Sequence, residues 1–412
     1  MNLNDKKIIY VTREIERALG TIPNENFIIV TNKTAYGDSI KALYPDFVHL
    51  IIPQGKDLLG TTELLSHPET AKIVTPDSHI LVFKNTLRVE SEINVKKWKV
   101  INPKSYLAER VENKLSQVRW LGELGTKYLP THVVKLTKQI TWKNEPFIIQ
   151  WAHGHTGDGT MLVKTREDLS LLQEKFPERM ARLSTYISGP SFTVNVIVAK
   201  EKIMMGNISY QITGLQPFTD NEFSTIGNDW GFAYKFLNVK DLENIQTIVK
   251  EVGTKMQKDG WKGLFGIDFI MDEKTRRIYL IEVNARQPAS ATFESTLELN
   301  QRKTKNIKGI TTFEAHLRAL LDLPIDQDII GINDGAQIVQ RVTKHIQGIF
   351  DDAVTSLRKK SYEVIAYQNS TPNSDLIRIQ SEKSIIEKHD ILNSNGQGIA
   401  ETIKTCKLNL EV

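Results

Sequence analysis

Asp268, Glu282, Asn284 and Arg286 are the residues of this chain best spaced to do chemistry together. They fall in the stretch GLFGIDFIMDEKTRRIYLIEVNARQP, from Gly263 to Pro288. Two alternating runs, LFGIDFIM and RIYLIEVN, flank a charged turn, DEKTR, which is the pattern of a β-hairpin. Ile267, Phe269 and Met271 share one face, so Asp268 points to the other. In the second run the alternation puts Tyr279, Ile281 and Val283 on one face and Glu282 and Asn284 opposite. A turn centred on Thr275 sets Asp268 directly across from Glu282. Arg286 stays on that side while the chain is extended. Two carboxylates and a carboxamide facing one another repel, and burial makes this worse. A hard divalent cation removes the conflict, because Mg²⁺ takes one or two carboxylates together with phosphates and water. The competing reading is a hairpin whose polar face meets solvent, and the D…ExNxR order weighs against it.

The same stretch resembles the metal-binding hairpin of the ATP-grasp family, in particular ligases of the biotin carboxylase, carbamoyl-phosphate synthetase and carboxylate–amine kinds. The resemblance implies that Asp268, Glu282 and Asn284 hold magnesium (or manganese) ions, two of them, against the phosphates of ATP. It implies that Arg286 steadies the transferring phosphoryl group or the intermediate. Further motifs are similar to the family's. Lys114, in YLAERVENKLSQVRWLGELGTKYLP, matches a lysine expected to pair with ATP phosphates; that stretch reads as a helix, a glycine break and a second helix or turn. In PFIIQWAHGHTGDGTMLVK, two strands flank a glycine-rich turn. Gly154, Gly157 and Gly159, with His155 among them, let the backbone turn tightly and cup an anion. The family closes such a flap over the β- and γ-phosphates. In LSTYISGPSFTVNVIVAK, Tyr186 and Ile187 are expected to lie against adenine. Three departures stand out. Gln150 replaces a phosphate-facing lysine, and Ser184 and Ser191 replace glutamates at the hinge and at the ribose. His153, His155 or Lys164 are candidates to make good the lost charge at position 150. A catalytically impaired nucleotide-binding or structural protein is the alternative that these departures favour.

These residues need a scaffold, and the rest of the chain supplies its outline. KKIIYV, NFIIVT, FVHLII and HILVFK read as buried strands of a parallel sheet, with a short helix at Arg13–Leu19. Thr12, Arg13, Lys84 and Asn85 sit at strand ends, where open α/β sheets bind ligands. No GxGxxG follows the first strand, so no dinucleotide site is expected. Residues 203–238 read as a strand and a long loop, and Asp241–Asp259 as an amphipathic helix with Leu242, Ile245, Ile248, Val249, Val252 and Met256 inward. Ser290, Thr292 and Glu294 are further candidates for the substrate site, and Arg341 for substrate contact. Residues 311–323 read as a helix. The expected fold class is α/β, with an N-terminal α/β domain at 1–105, an ATP-grasp domain at 106–328 whose lid spans about 130–187, and a small C-terminal α+β domain at 329–412.

Composition narrows the function. The 412 residues carry a net charge of +4, which does not suggest nucleic acid as the main ligand. One cysteine, Cys406, excludes an internal disulfide and a cysteine-cluster metal site. No run approaches membrane-spanning length and MNLNDKK opens no signal peptide, so a cytoplasmic location is expected. The resemblance implies an ADP-forming ligase that activates a carboxylate as an acyl phosphate and couples it to an amine or similar nucleophile, with bicarbonate retained as an alternative acid. The partners expected are therefore ATP and small molecules, with no membrane and no nucleic acid; a homodimer is allowed for.

Overall fold

A computed structural model describes residues 3, 6–55, 57–152, 159–348, 351–367 and 369–408. Its first sheet is wholly parallel, with the strands in the order Val48–Ile51, Phe27–Asn32, Lys7–Val11, Ser78–Val82, Lys99–Val100. KIIYV is apolar at every central position because both faces of its strand are covered. Ile9 and Val11 meet Leu64 and Leu65 on one side, while Ile8 and Tyr10 meet Phe27 and Phe313 on the other. The expected helix at 13–19 shrinks to one 3₁₀ turn, Ile15–Ala18.

The second sheet is an eight-stranded one in the order Ile278–Asn284, Gly263–Met271, Ser191–Val198, Ile203–Thr213, Thr225–Asp229, Ala336–Arg341, Asp375–Ser381, Glu363–Ala366. All of its pairings are antiparallel. One face is apolar and packs on the helix Val239–Lys258, through Ile245, Ile248, Val249, Val252 and Met256. The register places Thr193, Ser209, Gln211, Asn228, Gln337 and Arg378 together on the opposite face with Asp268. This polar face is the floor of the candidate site.

The loop expected over 203–238 is largely ordered structure. TIGND is a strand, Thr225–Asp229, and WGFAYKF is a helix, Trp230–Phe236, whose N-terminus Asp229 caps by accepting from Phe232 N at 2.7 Å. Gly227 hides the strand from a pattern search, yet the strand needs it: a Cβ there would stand 2.2 Å from the carbonyl oxygen of Gln337. Trp230 and Phe232 are core residues. Ala336–Arg341, Glu363–Ala366 and Asp375–Ser381 extend this same sheet, with Gly227 opposite Ile338, while Ile386–Lys388 and Ile391–Leu392 pair separately. Arg341, proposed to reach a substrate, is buried and held by Asp375 Oδ1 at 2.5 Å and by the Thr225 carbonyl.

A third sheet, His132–Leu136, Met180–Thr185, Phe147–Trp151, Thr160–Val163, is backed by the helix Arg166–Lys175. Leu169 and Leu172 of the helix pack on Ile149, Trp151, Val163 and Ala181. Its other face carries Gln150, Arg182 and Ser184, with Gln150 directly opposite Arg182 and Ile148 opposite Ser184. No helix among the described residues is long and apolar enough to cross a membrane.

Candidate active site

The hairpin register places Asp268 opposite Glu282 and Gly266 opposite Asn284. Beyond Asp268 the register slips by one residue, and Ile281 has no opposite number. This bulge corrects the alternation read from the sequence: Ile278, Leu280 and Val283 are the buried residues, while Tyr279 and Ile281 are only half-buried. An extra residue reverses the phase of a strand. Glu282 and Asn284 still share the polar face because they lie on the same side of the bulge.

Asp268 is held from three directions. Its Oδ1 accepts from Thr193 Oγ1 at 2.6 Å and Gln211 Nε2 at 2.7 Å, and its Oδ2 accepts from Asn284 Nδ2 at 2.9 Å. Burial, followed by the charge of Glu282, pushes its carboxyl up to about 6. Glu282 Oε1 receives Lys114 Nζ at 3.0 Å. The helix expected through this lysine breaks just before it. Asn113 ends one helix, Ser105–Glu112, and caps the next, Lys114–Leu121, by accepting from Leu115 N and Ser116 N. Gln117, one turn on, donates to the carbonyls of Val111 and Val283 and ties that helix to the hairpin between Glu282 and Asn284.

Arg286 donates to Asn284 Oδ1 at 2.9 Å and to Glu112 Oε1 at 2.6 Å. Glu112 also pairs with Lys84, one of the strand-end candidates. Burial pushes the Glu112 carboxyl up, but Arg286 and Lys84 outweigh it and hold it below the usual carboxylate range. Thr12, Arg13 and Asn85 are taken up locally, by Glu14 O, the Glu14 carboxylate and Pro103 O.

The hinge residues lie along the same strand pair. Ser191 sits opposite Ile270, two residues from Asp268. Tyr186 and Ile187 lie in the connection before it, Tyr186 exposed and Ile187 half-buried. Gly189, with φ +144°, passes so close to the hairpin that a Cβ would stand 2.1 Å from Met271 O. Ser184 is buried on the third sheet beside Arg182. Gln150 and Gly159 flank the glycine-rich turn; Gly154, His155, Gly157 and His153 lie outside the described residues. Lys164 is exposed and stands 3.6 Å from Glu222. Ser290 donates to Asn195, and Thr292 lines a separate cavity of about 500 Å³ with Glu16 and Tyr362. Glu294 is buried among Asn195, Asn207 and Thr312, which take up both its oxygens.

Sequence reasoning passed over Arg182, Glu112, Gln117, Thr193 and Gln211. The available signals were a charged residue inside the alternating run MARLST, an acid two residues before Lys114, and polar residues at inward strand positions.

Among the described residues, no three His, Cys, Asp or Glu side chains cluster closely enough to hold a metal alone. An ion here would take Asp268 and Glu282, with Asn284 and nucleotide phosphate completing its shell, which is a habit of Mg²⁺ rather than of Ca²⁺. The donors present fit that role: Asp268 forms no salt bridge among the described residues, the adjacent Glu282 has only the Lys114 ammonium, and Gln150 Oε1 and Arg182 Nη1 are buried without partners.

Comparison with known proteins bears on the domain and the fold. Residues 111–290 match the family model of the ATP-grasp domain. Carboxyaminoimidazole ribonucleotide synthase from Aspergillus clavatus, solved with ATP, superposes with a TM-score of 0.64 at 15% identity, covering 98% of this chain and 99% of that one. Biotin carboxylase from Campylobacter jejuni gives 0.61 at 17%, over 92% of this chain and 87% of that one. L-amino acid ligase from Bacillus licheniformis gives 0.61 at 14%, over 98% of both. No curated protein sequence matches. Residues 111–290 thus match an ATP-grasp domain, and the chain as a whole has the ATP-grasp fold.

Proposed function

We propose that the protein is an ADP-forming ligase that activates a carboxylate with ATP and joins it to an amine or a similar nucleophile. The observation that carries this reading is the convergence of Asp268, Glu282 and Asn284 on one face of a hairpin, with Lys114 and Arg286 beside them. A carboxylate oxygen would attack the γ-phosphorus, and ADP would leave. The nucleophile would then add to the acyl carbon, lose its proton and expel phosphate. Phosphoryl transfer asks for positioning and charge neutralisation rather than covalent help. Bound Mg²⁺, held by Asp268, Glu282 and Asn284, would supply that neutralisation.

The remaining groups have separable tasks. Lys114, a compact ammonium, would turn from Glu282 to phosphate when the nucleotide enters. Arg286, fixed by Glu112, would bind the acid or the transferring group through its planar fork. Tyr186 and Ile187 would take the adenine, with Ser184 at the start of that hinge, and Ser191 would meet the ribose through a shorter, neutral contact than a carboxylate gives. Gly159, at the edge of the glycine-rich segment, would let the backbone come close to the phosphates. The test is a screen of amino acids, small carboxylates and bicarbonate, alone and with amines, for ADP release. Glu282→Ala is expected to abolish any turnover found. Turnover unchanged in that variant refutes the assignment.

A further inference from the structure

The third sheet holds a buried cation with no charged hydrogen-bond partner among the described residues. Arg182 is 2% exposed, and its partners are two neutral acceptors, Ser184 Oγ and Ile281 O, each at 3.2 Å. No carboxylate forms a salt bridge with it among the described residues, and its Nη1 has no partner. The bulge in the hairpin is what leaves the Ile281 carbonyl to receive it. Directly across the strand pair stands Gln150, also buried, with Oε1 unpartnered and Nε2 on Thr160 Oγ1 at 3.2 Å. Burial pulls the guanidinium down to about 10, and the nearby charge of Glu282 offsets only part of that effect. An uncompensated buried charge costs several kcal/mol, so such a group is retained where an anion completes it.

We propose that Arg182 is the cation with which the third sheet binds the β- and γ-phosphates of the nucleotide, serving for the uncharged residue at position 150. The inference rests on the ATP reading above and adds the residue that carries the charge on this side of the site. Three features select a polyphosphate. Arg182 joins the Glu282 neighbourhood, where Lys114 already waits. A guanidinium binds phosphate oxygens bidentately, which an ammonium cannot do. A carboxamide beside it adds a donor without adding charge.

The experiment measures equilibrium binding of ATP, ADP and AMP, with Mg²⁺, to the full chain. The proteins compared are wild type, Arg182→Met, Arg182→Lys, and the double variant Gln150→Lys/Arg182→Met, which moves the charge to the opposite strand. Arg182→Met is expected to weaken ATP and ADP by about 10- to 100-fold, the worth of one charge-assisted contact, and to leave AMP unchanged. The double variant is expected to recover most of that loss. Arg182→Lys, which keeps charge and approximate volume, is expected to lie between wild type and methionine, and it serves if methionine fails to fold. Equal ATP affinity in wild type and the Arg182 variants overturns the proposal while leaving the ATP reading intact. So does a parallel loss of AMP, which marks a structural role, or a double variant no better than the single. A wild-type protein that binds none of the three nucleotides overturns both.

Discussion

Replacing Lys114 by methionine removes the ammonium from beside Glu282 and keeps most of the volume. In the protein as it stands, the lysine side chain is 8% exposed and the glutamate 23%, with 3.0 Å between Nζ and Oε1. Two unit charges ~4 Å apart attract by about 4 kcal/mol at an effective dielectric near 20. Desolvation of both groups returns much of that, so the intact pair has a modest net worth. Removing one member is a different matter, because it leaves the other charge buried alone, at about 3–5 kcal/mol. Glu282 keeps some contact with solvent and faces Asp268 across the strands, so the low end, about 3 kcal/mol, is expected. Urea unfolding without Mg²⁺ or nucleotide reads this directly. Glu282→Gln alone leaves the ammonium unpaired and also destabilises. The double variant Lys114→Met/Glu282→Gln leaves neither charge alone, so its loss should fall short of the two single losses added together, by about 1–3 kcal/mol. Lys114→Met should also bind Mg·ATP at least about tenfold more weakly, the effect of losing one cation at the phosphates. Strict additivity in the double variant, with ATP binding unchanged in Lys114→Met, would refute the idea that this lysine is shared between Glu282 and the nucleotide.

Two further outcomes follow from the scaffold. His316 is buried, its Nδ1 accepts from Leu264 N at 2.9 Å at the start of the hairpin strand, and burial pulls its pKa down to about 3. A histidine depressed in the folded state stabilises above its unfolded pKa near 6.5 and loses that contribution as pH falls. The contribution of His316 to the unfolding free energy should therefore drop by about 2 kcal/mol between pH 8 and pH 5, opposed in part by Asp268, whose raised carboxyl gains stability as pH falls; His316→Asn, whose Oδ1 can accept the same hydrogen bond, should lose the His316 part of the slope, and an unaltered slope contradicts it. Gly227→Ala would drive a Cβ against the Gln337 carbonyl at 2.2 Å. It should cost about 2–3 kcal/mol and speed amide exchange in Ala336–Arg341, and unchanged exchange there would show that the strand pair tolerates the intrusion.

Much of this arrangement could be read from the amino acids alone. Three parallel strands of the first sheet carry apolar runs, IIYV, FIIV and ILV, because a strand covered on both faces has no solvent side to mark with polar residues. The pairing of Asp268 with Glu282 was reached by centring the turn on Thr275; in the structure the pairs next to the turn, such as Phe269 with Leu280, are centred half a residue earlier, and the bulge at Ile281 is what brings Glu282 across from Asp268. The bulge at Ile281 was not legible, since an extra apolar residue leaves an apolar strand looking unchanged. The strand Thr225–Asp229 was hidden for the opposite reason: its glycine answers a close backbone approach from a strand more than a hundred residues away. Arg182 was passed over because its significance lies in what faces it. Its place opposite Gln150 and beside Glu282 depends on strand pairing and sheet packing, neither of which leaves a local mark. Glu112 and Gln117 were missed similarly, for both act by holding another residue in place.

The central claim is that the hairpin carboxylates seat Mg²⁺ against the phosphates of ATP. Calorimetric titration of ATP into wild type and Glu282→Gln, each with and without Mg²⁺, tests it most directly. The account predicts that Mg²⁺ tightens ATP binding to the wild type by at least about tenfold and has little effect on the variant, one carboxylate having been lost from the ion's shell. Mg²⁺ strengthening ATP binding equally in both proteins, or in neither, would contradict it.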